Sequence, residues 1–330
     1  MDFKAMPKID LHLHLDCSLS YEVVRQIDPS VSLEVYQESF IGPPKCHDLA
    51  DFLSRAINGI NLMQTRQQLH LVTLDLFRQL MEDKVIYAEI RFAPLLHTEK
   101  GLKPVEVVQT VLEAAKEGMK KTGIKAGIIL CTLRHFSESQ SMETVQLVER
   151  FKGTAVVGFD IASDEAGFPI DNHLSAFAYA RDKGLSITAH AGDAKGSESV
   201  WETLKHLRPQ RIGHGVRSVE DPSLLKYLKN QNIHLEVCPT SNIQTNVVQS
   251  IKDHPVDVIY QSGVSMSINT DARTISDVTL NSEYRLLQDV FDWTKLHFKN
   301  CNLEAAKHAF LPEQDKVLLR DKIISAYRVD

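Results

Sequence analysis

The 330-residue chain is predicted to fold as an α/β protein, a single (β/α)8 TIM barrel. Two observations predict this fold. Short apolar runs with strand-like patterning recur eight times along the chain, and segments with helical spacing of apolar residues lie between them. Strands that alternate with helices build a parallel sheet, and closed barrels of this kind reach this length as one domain.

The predicted elements follow one another in the order that a barrel requires. The strand-like runs lie near residues 8–14, 85–92, 125–132, 154–161, 185–190, 210–214, 232–237 and 263–269. The clearest helical patterns between them cover residues 104–120, 172–183, 197–207, 222–230 and 253–261. Glycine or asparagine often stands where a helix gives way to a strand, as at Gly123 and Asn232, because such residues tolerate the left-handed backbone that ends a helix. The stretch from Thr279 to Arg328 is predicted to add C-terminal helices, so one domain spans residues 1–330.

The first connection of the predicted barrel is far longer than one helix requires, since nearly seventy residues separate Leu15 from Lys84. Apolar residues recur at helical spacing over residues 49–63 and 69–81. We therefore expect a helical insertion, at about residues 16–83, that covers the carboxyl ends of the strands. A lid over the site and a dimer surface are both compatible with this pattern.

Charge and composition narrow the class of partner. Lys and Arg number 37 against 43 Asp and Glu, and the net charge of −6 is spread without long blocks, which argues against a nucleic-acid polymer as ligand. No segment is apolar over the length that a membrane span needs. The five cysteines are scattered and form no C-x-x-C pair, so reduced thiols and a cytoplasmic location are expected. The oligomeric state stays open.

The chain begins with a strand that favours a metal site. Residues two apart on a strand point the same way, so His12 and His14 can converge on one ion while leucines fill the other face. Unusual polar residues also end later strands: His190, His214 and Asp271. Because the carboxyl ends of all barrel strands meet at one face, we expect these side chains to converge there.

Three histidines and one carboxylate suit a borderline-soft divalent ion, which favours zinc with a position left for water. A binuclear hydrolase is the competing interpretation, but such sites usually have a lysine or glutamate at the end of strand four. That strand ends Asp160-Ile161-Ala162. The pattern favours one zinc ion per chain, with His214 free for chemistry.

Seven motifs, in order over almost the whole chain, carry a resemblance to a known family. They are Leu11-His12-Leu13-His14-Leu15-Asp16, Ala88-Glu89-Ile90-Arg91-Phe92-Ala93-Pro94, Ser163-Asp164-Glu165, His190-Ala191-Gly192, Ile212-Gly213-His214-Gly215, Cys238-Pro239-Thr240-Ser241-Asn242 and Ser267-Ile268-Asn269-Thr270-Asp271. Together they resemble the adenosine deaminase family. The resemblance implies a zinc-bearing barrel that hydrolyses the 6-amino group of a small purine substrate, releases ammonia and leaves a 6-oxo product.

The resemblance also implies a role for each matching residue. His214 would orient and deprotonate the attacking water, and Asp193 stands where the family has the acid that protonates purine N1. Asp16 would face the ribose of a nucleoside, and the backbone around Ser163 would donate a hydrogen bond to purine N3. The implied metal ligands are His12, His14, His190 and Asp271.

Four positions depart from the family pattern. Asp193 replaces a glutamate and is one methylene shorter, and Ser163 replaces a glycine. Cys17 follows the first motif where glycine is common, and Ala272 stands where an acid would bind purine N7. Asp16 favours adenosine or deoxyadenosine as substrate. Adenine or a modified adenine nucleoside, a binuclear hydrolase of another bond, and a non-catalytic purine-binding protein remain the alternatives.

Overall fold

The computed structural model describes residues 1–327 of the chain. Within that range, parallel strands form two four-stranded sheets with the orders β1-β2-β3-β4 and β5-β6-β7-β8. The strands are β1 Lys8–His14, β2 Val85–Phe92, β3 Lys125–Leu133, β4 Val156–Ala162, β5 Thr188–Ala191, β6 Arg211–His214, β7 His234–Val237 and β8 Met266–Ile268. Each of the predicted runs therefore overlaps one strand.

Short contacts join the two sheets at both edges and close the barrel. Leu13 and Asp271 form a parallel bridge between β1 and the end of β8, and the amide of His14 donates to the carbonyl of Asp271 at 2.9 Å. On the other side, Phe159 of β4 bridges to Ile187, just before β5. The eight-stranded parallel barrel that the sequence predicts is thereby confirmed.

Helices surround the barrel, as the apolar spacing predicts. They are α1 Tyr21–Ile27, α2 Leu33–Ser39, α3 Leu49–Ser54, α4 Ala56–Asn61, α5 Arg66–Glu82, α6 Pro104–Thr122, α7 Glu138–Arg150, α8 Leu174–Asp182, α9 Ser197–His206, α10 Pro222–Asn230, α11 Pro239–Gln244, α12 Val256–Ser262, α13 Leu280–Phe291, α14 Lys295–His308 and α15 Glu313–Ala326. None of these helices is long and apolar enough to cross a lipid bilayer. Arg328, the last residue of the predicted C-terminal helical stretch, and the rest of residues 328–330 lie outside the described residues.

The segment between β1 and β2 contains the helices α1 to α5. Four of these begin after a side chain that accepts a hydrogen bond from the backbone three residues on, which satisfies one of the free amides of a helix start. The capping residues are Ser20, Ser32, Asp48 and Thr65. The chain between α2 and α3 is fixed to the barrel, because the amide of Gly42 donates to the carbonyl of Ile275 and that of Cys46 donates to the carbonyl of Gln244.

Candidate active site

The histidines and the aspartate that end the strands converge at the carboxyl end of the barrel. Nε2 of His14 lies 3.2 Å from Nε2 of His190 and 3.4 Å from Oδ1 of Asp271. Nε2 of His12 also lies 3.4 Å from Oδ1 of Asp271. His214 belongs to the same cluster, since one donor atom each from His12, His190, His214 and Asp271 lie within 4.8 Å of one another.

The donor set fits a bound metal ion. Nε2 of His12 is fully buried and has no hydrogen-bond partner, although such a nitrogen is costly to leave unpaired. Burial lowers the pKa of His14 to about 3 and that of His190 to about 4, so both rings are neutral and offer lone pairs. Burial opposes ionisation of Asp271, but its close contact with His12 and the other neighbouring histidines outweigh burial and hold its pKa well below the usual range. Neutral imidazole and carboxylate are the ligand forms that zinc requires.

Two buried carboxylates, those of Glu236 and Asp160, orient the rings of His12 and His190. Nδ1 of His12 lies 2.7 Å from Oε2 of Glu236, and Nδ1 of His190 lies 3.1 Å from Oδ2 of Asp160. Arg91 joins the two carboxylates, with 2.8 Å to Asp160 and 2.7 Å to Glu236. The contacts of Glu236, Asp160 and Arg91 with one another and with the histidines were not predicted from the sequence. Their signal is an acidic residue inside a buried strand, Asp160 in β4 and Glu236 in β7.

Three predicted site residues have a left-handed backbone conformation. The φ angles are 82° at Ser163, 62° at His214 and 59° at Asp271. Such angles cost a residue with a side chain roughly 1 kcal/mol or more, and this strain is typical of functional sites. The family pattern has glycine at the position of Ser163, and glycine adopts such a φ angle without strain. The hydroxyl of Ser163 lies 3.4 Å from Nδ1 of His135.

Asp193 lies beside His214, and one amide joins them. Nδ2 of Asn242 donates to Oδ1 of Asp193 at 2.7 Å and lies 3.2 Å from Nδ1 of His214. Burial raises the pKa of Asp193 above its ordinary value, because the carboxylate is removed from water. A carboxyl group with a raised pKa holds its proton more tightly and is better suited to act as an acid.

The two acids that follow β4 in the chain, Asp164 and Glu165, are occupied by other contacts. Glu165 accepts hydrogen bonds from the amides of Gly192, Asp193 and Lys195 and from the hydroxyl of Ser199. Asp164 accepts from the amides two and three residues ahead, at 3.1 and 3.0 Å. Glu165 therefore holds the chain that follows β5 in place, and Asp193 is the acid that remains available to a ligand.

Asp16 lies at the outer edge of the site. Its Oδ2 is 3.7 Å from Nε2 of His97 and 3.5 Å from the amide of Ala93. Burial alone would raise its pKa, but the contact with His97 and the nearby ring of His14 outweigh this effect and lower it. Asp16 is thus an anionic hydrogen-bond acceptor, and it lines an apolar groove beside the cluster.

Ala272 provides an apolar wall where the family pattern has an acid. Its side chain is buried in a cluster with Cys17, Cys46, Phe52 and Ile275. The next residue, Arg273, does not replace the missing acid. Its guanidinium donates to Asp83 at 2.7 Å and to Gln79 at 3.1 Å, and it does not line the cavity.

A narrow inner cavity opens over the cluster, and an apolar groove of about 500 Å³ adjoins it. His14, Cys17, Leu53 and Ser163 line both spaces. The helix α3 covers the inner cavity with Leu49, Phe52 and Leu53. The remaining residues that line the inner cavity are Glu165, His190, Asp193, His214, Asp271 and Ala272.

The chain matches known proteins over nearly its whole length. The family model described as adenosine deaminase matches residues 7–326. A protein named adenosine deaminase from Enterococcus faecalis is 36% identical and covers 98% of each chain, and one from Clostridium acetobutylicum is 35% identical over 96% of this chain and 97% of the other.

Solved structures share the fold at lower sequence identity. An adenine deaminase from Arthrobacter aurescens superposes with a TM-score of 0.90 at 24% identity, covering 97% of this chain and 98% of the other. An N6-mAMP deaminase from Arabidopsis gives a TM-score of 0.86 at 22% identity, covering 98% and 99%. Taken with the sequence matches and with the site geometry, these findings show that the chain is a hydrolytic deaminase that belongs to the adenosine deaminase family.

Proposed function

We propose that the protein hydrolyses the 6-amino group of adenosine and 2′-deoxyadenosine, giving inosine or deoxyinosine and ammonia, with one zinc ion per chain. The observation that carries the proposal is the position of Asp193. This acid lies beside His214 in the cavity that also contains the histidine and aspartate cluster. A proton donor for the base and a metal-ligand cluster therefore face one small space.

His12, His14, His190 and Asp271 would hold the zinc ion. The two oxygens of Asp271 have different partners, because Oδ2 accepts from the hydroxyl of Ser241 at 2.7 Å while Oδ1 faces His12 and His14. When bound, zinc would supply a Lewis acid that lowers the pKa of water from about 15.7 to about 7. The neighbouring carboxylates of Glu236 and Asp160 keep the ligand histidines in the required tautomer.

The other residues bind the purine and move its protons. Asp193 would protonate N1 as the water attacks C6, so that negative charge does not accumulate on the ring. His214 would orient the attacking water. The backbone at Ser163 would donate a hydrogen bond to purine N3. Asp16 would accept a hydrogen bond from the sugar in the apolar groove.

The lining of the two spaces favours a nucleoside over a nucleotide. Among residues 1–327, no lysine or arginine lines either the inner cavity or the apolar groove. A phosphate at the sugar end would face apolar side chains and the carboxylate of Asp16 without a compensating cation, which is unfavourable. Free adenine is the second candidate, since its ring would fill the same inner cavity but would leave Asp16 without a partner.

Ammonia release from purified protein tests the proposal. Adenosine and 2′-deoxyadenosine should be turned over with similar kcat/KM, and AMP should be at least about a hundredfold worse, equivalent to about 2.7 kcal/mol. Adenine should be a poor substrate because it lacks the sugar. If AMP or adenine gave the highest kcat/KM, the assignment to nucleosides would be wrong.

We also propose that the chain forms one domain in which residues 16–83 act as a lid. Three side chains of α3 line the inner cavity, and this contact supports a lid rather than a dimer surface. A small purine is then the expected partner. The five cysteines, all unpaired, support a reducing cytoplasmic location.

A further inference from the structure

Asn242 lies at the centre of a buried chain of hydrogen bonds that leaves the candidate site. The residue is fully buried in α11, directly after β7. Its Nδ2 faces Asp193 at 2.7 Å and His214 at 3.2 Å, and its Oδ1 faces Nε2 of His254 at 3.2 Å. The amide therefore connects the two proposed catalytic groups with a histidine outside the cavity.

The local backbone determines the tautomer of His254. The amide of Val256, at the start of α12, donates to Nδ1 of His254 at 3.0 Å. Burial lowers the pKa of His254 to about 3, so the ring is neutral near neutral pH and has a single proton. Because Nδ1 accepts a hydrogen bond, that proton is on Nε2. The Nε2–H group then donates to Oδ1 of Asn242.

The tautomer of His254 in turn determines the orientation of the Asn242 amide. When the amide oxygen of Asn242 accepts the hydrogen bond from His254, the two N–H groups of Asn242 point to Asp193 and His214. The opposite orientation would place two donors against each other at His254 and two acceptors against each other at Asp193, and each unpaired buried group is costly.

We propose that Asn242 and His254 are positioning residues that direct the proton of Asp193 towards the substrate. This inference rests on the roles proposed above for Asp193 and His214. A protonated carboxyl accepts through its carbonyl oxygen and donates through its hydroxyl. Since Oδ1 accepts from Asn242, the proton of Asp193 is on Oδ2, which is free to face purine N1.

The same contact orients His214. Its Nδ1 lies 3.2 Å from Nδ2 of Asn242, and this contact fixes the rotation of the imidazole ring. With Nδ1 held by the amide, Nε2 is the ring nitrogen left to contact the attacking water.

A double-mutant cycle on Asn242 and His254 tests the proposal. Asn242→Ala should lower kcat for adenosine by about a hundredfold, the usual scale for disturbing acid–base assistance. His254→Phe should lower it by about tenfold, while His254→Gln, which can still donate to Asn242, should remain within about threefold of the unmodified protein. In the Asn242→Ala background, His254→Phe should have no further effect, because His254 acts only through Asn242.

Two readouts separate positioning from a loss of structure. The zinc content should stay at one ion per chain in each variant. The inhibition constant of 1-deazaadenosine, which has carbon in place of N1, should change by less than about threefold, because this ligand makes no hydrogen bond through N1. His234→Phe is the matched control. His234 is equally buried and bonded through both ring nitrogens to Ser265 and Ser267, but it lies at the amino end of β7.

The outcomes are distinguishable from a failure of the proposed function. If the unmodified protein releases no ammonia from adenosine, the proposed function is wrong. If it does so and His254→Phe retains full kcat, or lowers kcat additively with Asn242→Ala, the positioning role is overturned. An equal loss in His234→Phe would also overturn it. Should His254→Phe fail to fold, Asn242→Ala decides alone: unchanged kcat, or equal losses in kcat and in 1-deazaadenosine binding, would contradict the proposal.

Discussion

Nδ1 of His12 and Oε2 of Glu236 lie 2.7 Å apart in the fully buried interior of the barrel. Arg91 and Arg211 each contact the same carboxylate at 2.7 Å, so Glu236 stays ionised. Burial disfavours the charge, but the two arginines outweigh it and hold the pKa of Glu236 well below its usual range. An ionised acceptor at this position places the proton of His12 on Nδ1 and leaves the lone pair of Nε2 for a metal ion.

We predict that Glu236→Gln weakens zinc binding. A neutral amide is a poorer acceptor for Nδ1–H, and loss of such a contact typically costs about 10-fold to 100-fold in metal affinity. Competition with a chelator of known affinity measures the effect. Glu89→Gln is the control, because Glu89 is also buried and shares Arg211 with Glu236, but its other contacts are the hydroxyl of Tyr87 and the amide of Phe310 rather than a histidine of the cluster. Equal zinc affinity in Glu236→Gln and in the unmodified protein would show that Glu236 does not tune His12.

Asp193→Asn should lower kcat for adenosine by at least about a hundredfold, since the side chain keeps its shape but loses the acidic proton. Its Oδ1 can still accept from Asn242, so the zinc content should not change. Steady-state kinetics and elemental analysis check both points. Asp164→Asn serves as a control, because Asp164 is engaged with the backbone of its own loop. A variant that kept most of its kcat would place the proton donor elsewhere.

Ser163→Gly should stabilise the fold. Glycine adopts a φ of 82° without the strain that serine experiences, which corresponds to about 1 kcal/mol in the free energy of unfolding. Glycine is also more flexible in the unfolded chain, and this opposes part of the gain. Denaturant unfolding measures the balance. Ser139→Gly, at an exposed position in α7, should instead lose stability, because its backbone is helical. A loss of stability in Ser163→Gly would mean that the hydroxyl contact with His135 outweighs the strain.

The stability of the protein should depend on the ionisation of Glu283. Burial raises the pKa of this side chain from an ordinary value of 4.5 to about 8, although the amide of Thr240 donates to it. The folded state therefore retains a proton that the unfolded state loses. The contribution of Glu283 to the free energy of unfolding is fully present below its pKa in the unfolded chain. That contribution is lost as the pH rises through its pKa in the folded protein.

Glu283→Gln isolates this contribution, because glutamine resembles the protonated acid. Relative to the variant, the free energy of unfolding of the unmodified protein should fall by up to about 1.4 kcal/mol per pH unit between about pH 5 and pH 8. Urea unfolding across that range supplies the comparison. Parallel curves for the two proteins would show that Glu283 titrates normally in the folded state.

The barrel was predictable from the sequence because each strand is a short apolar run between turn residues. The later strands are shorter than predicted because hydrogen-bonded pairing covers only part of each run. In the predicted run 185–190, β5 is Thr188–Ala191, and Ile187 forms only an isolated bridge with Phe159. The helices α1 and α2 were not predicted individually, since their apolar stripes are short. Their serine caps, Ser20 and Ser32, were a usable signal.

The convergence of His12, His14 and His190 was predictable, because their spacing and strand-end positions are visible in the chain. The contacts that orient them were not, because Glu236 meets His12 and Asp160 meets His190 only after the barrel closes. The orientation of Asn242 depends in the same way on a tautomer that is set by a backbone amide fourteen residues away. No local pattern encodes such a relation.

The most direct test of the central claim is a zinc titration of the metal-free protein, followed by ammonia release from adenosine. We predict that the rate of ammonia release rises linearly with added zinc and reaches its plateau at one zinc ion per chain. His12→Ala, which lacks one proposed ligand, should bind zinc weakly and show no plateau, whereas His214→Ala should bind one ion but remain at least about a hundredfold slower. A plateau at two ions per chain, or full activity in the metal-free protein, would contradict a mononuclear deaminase site.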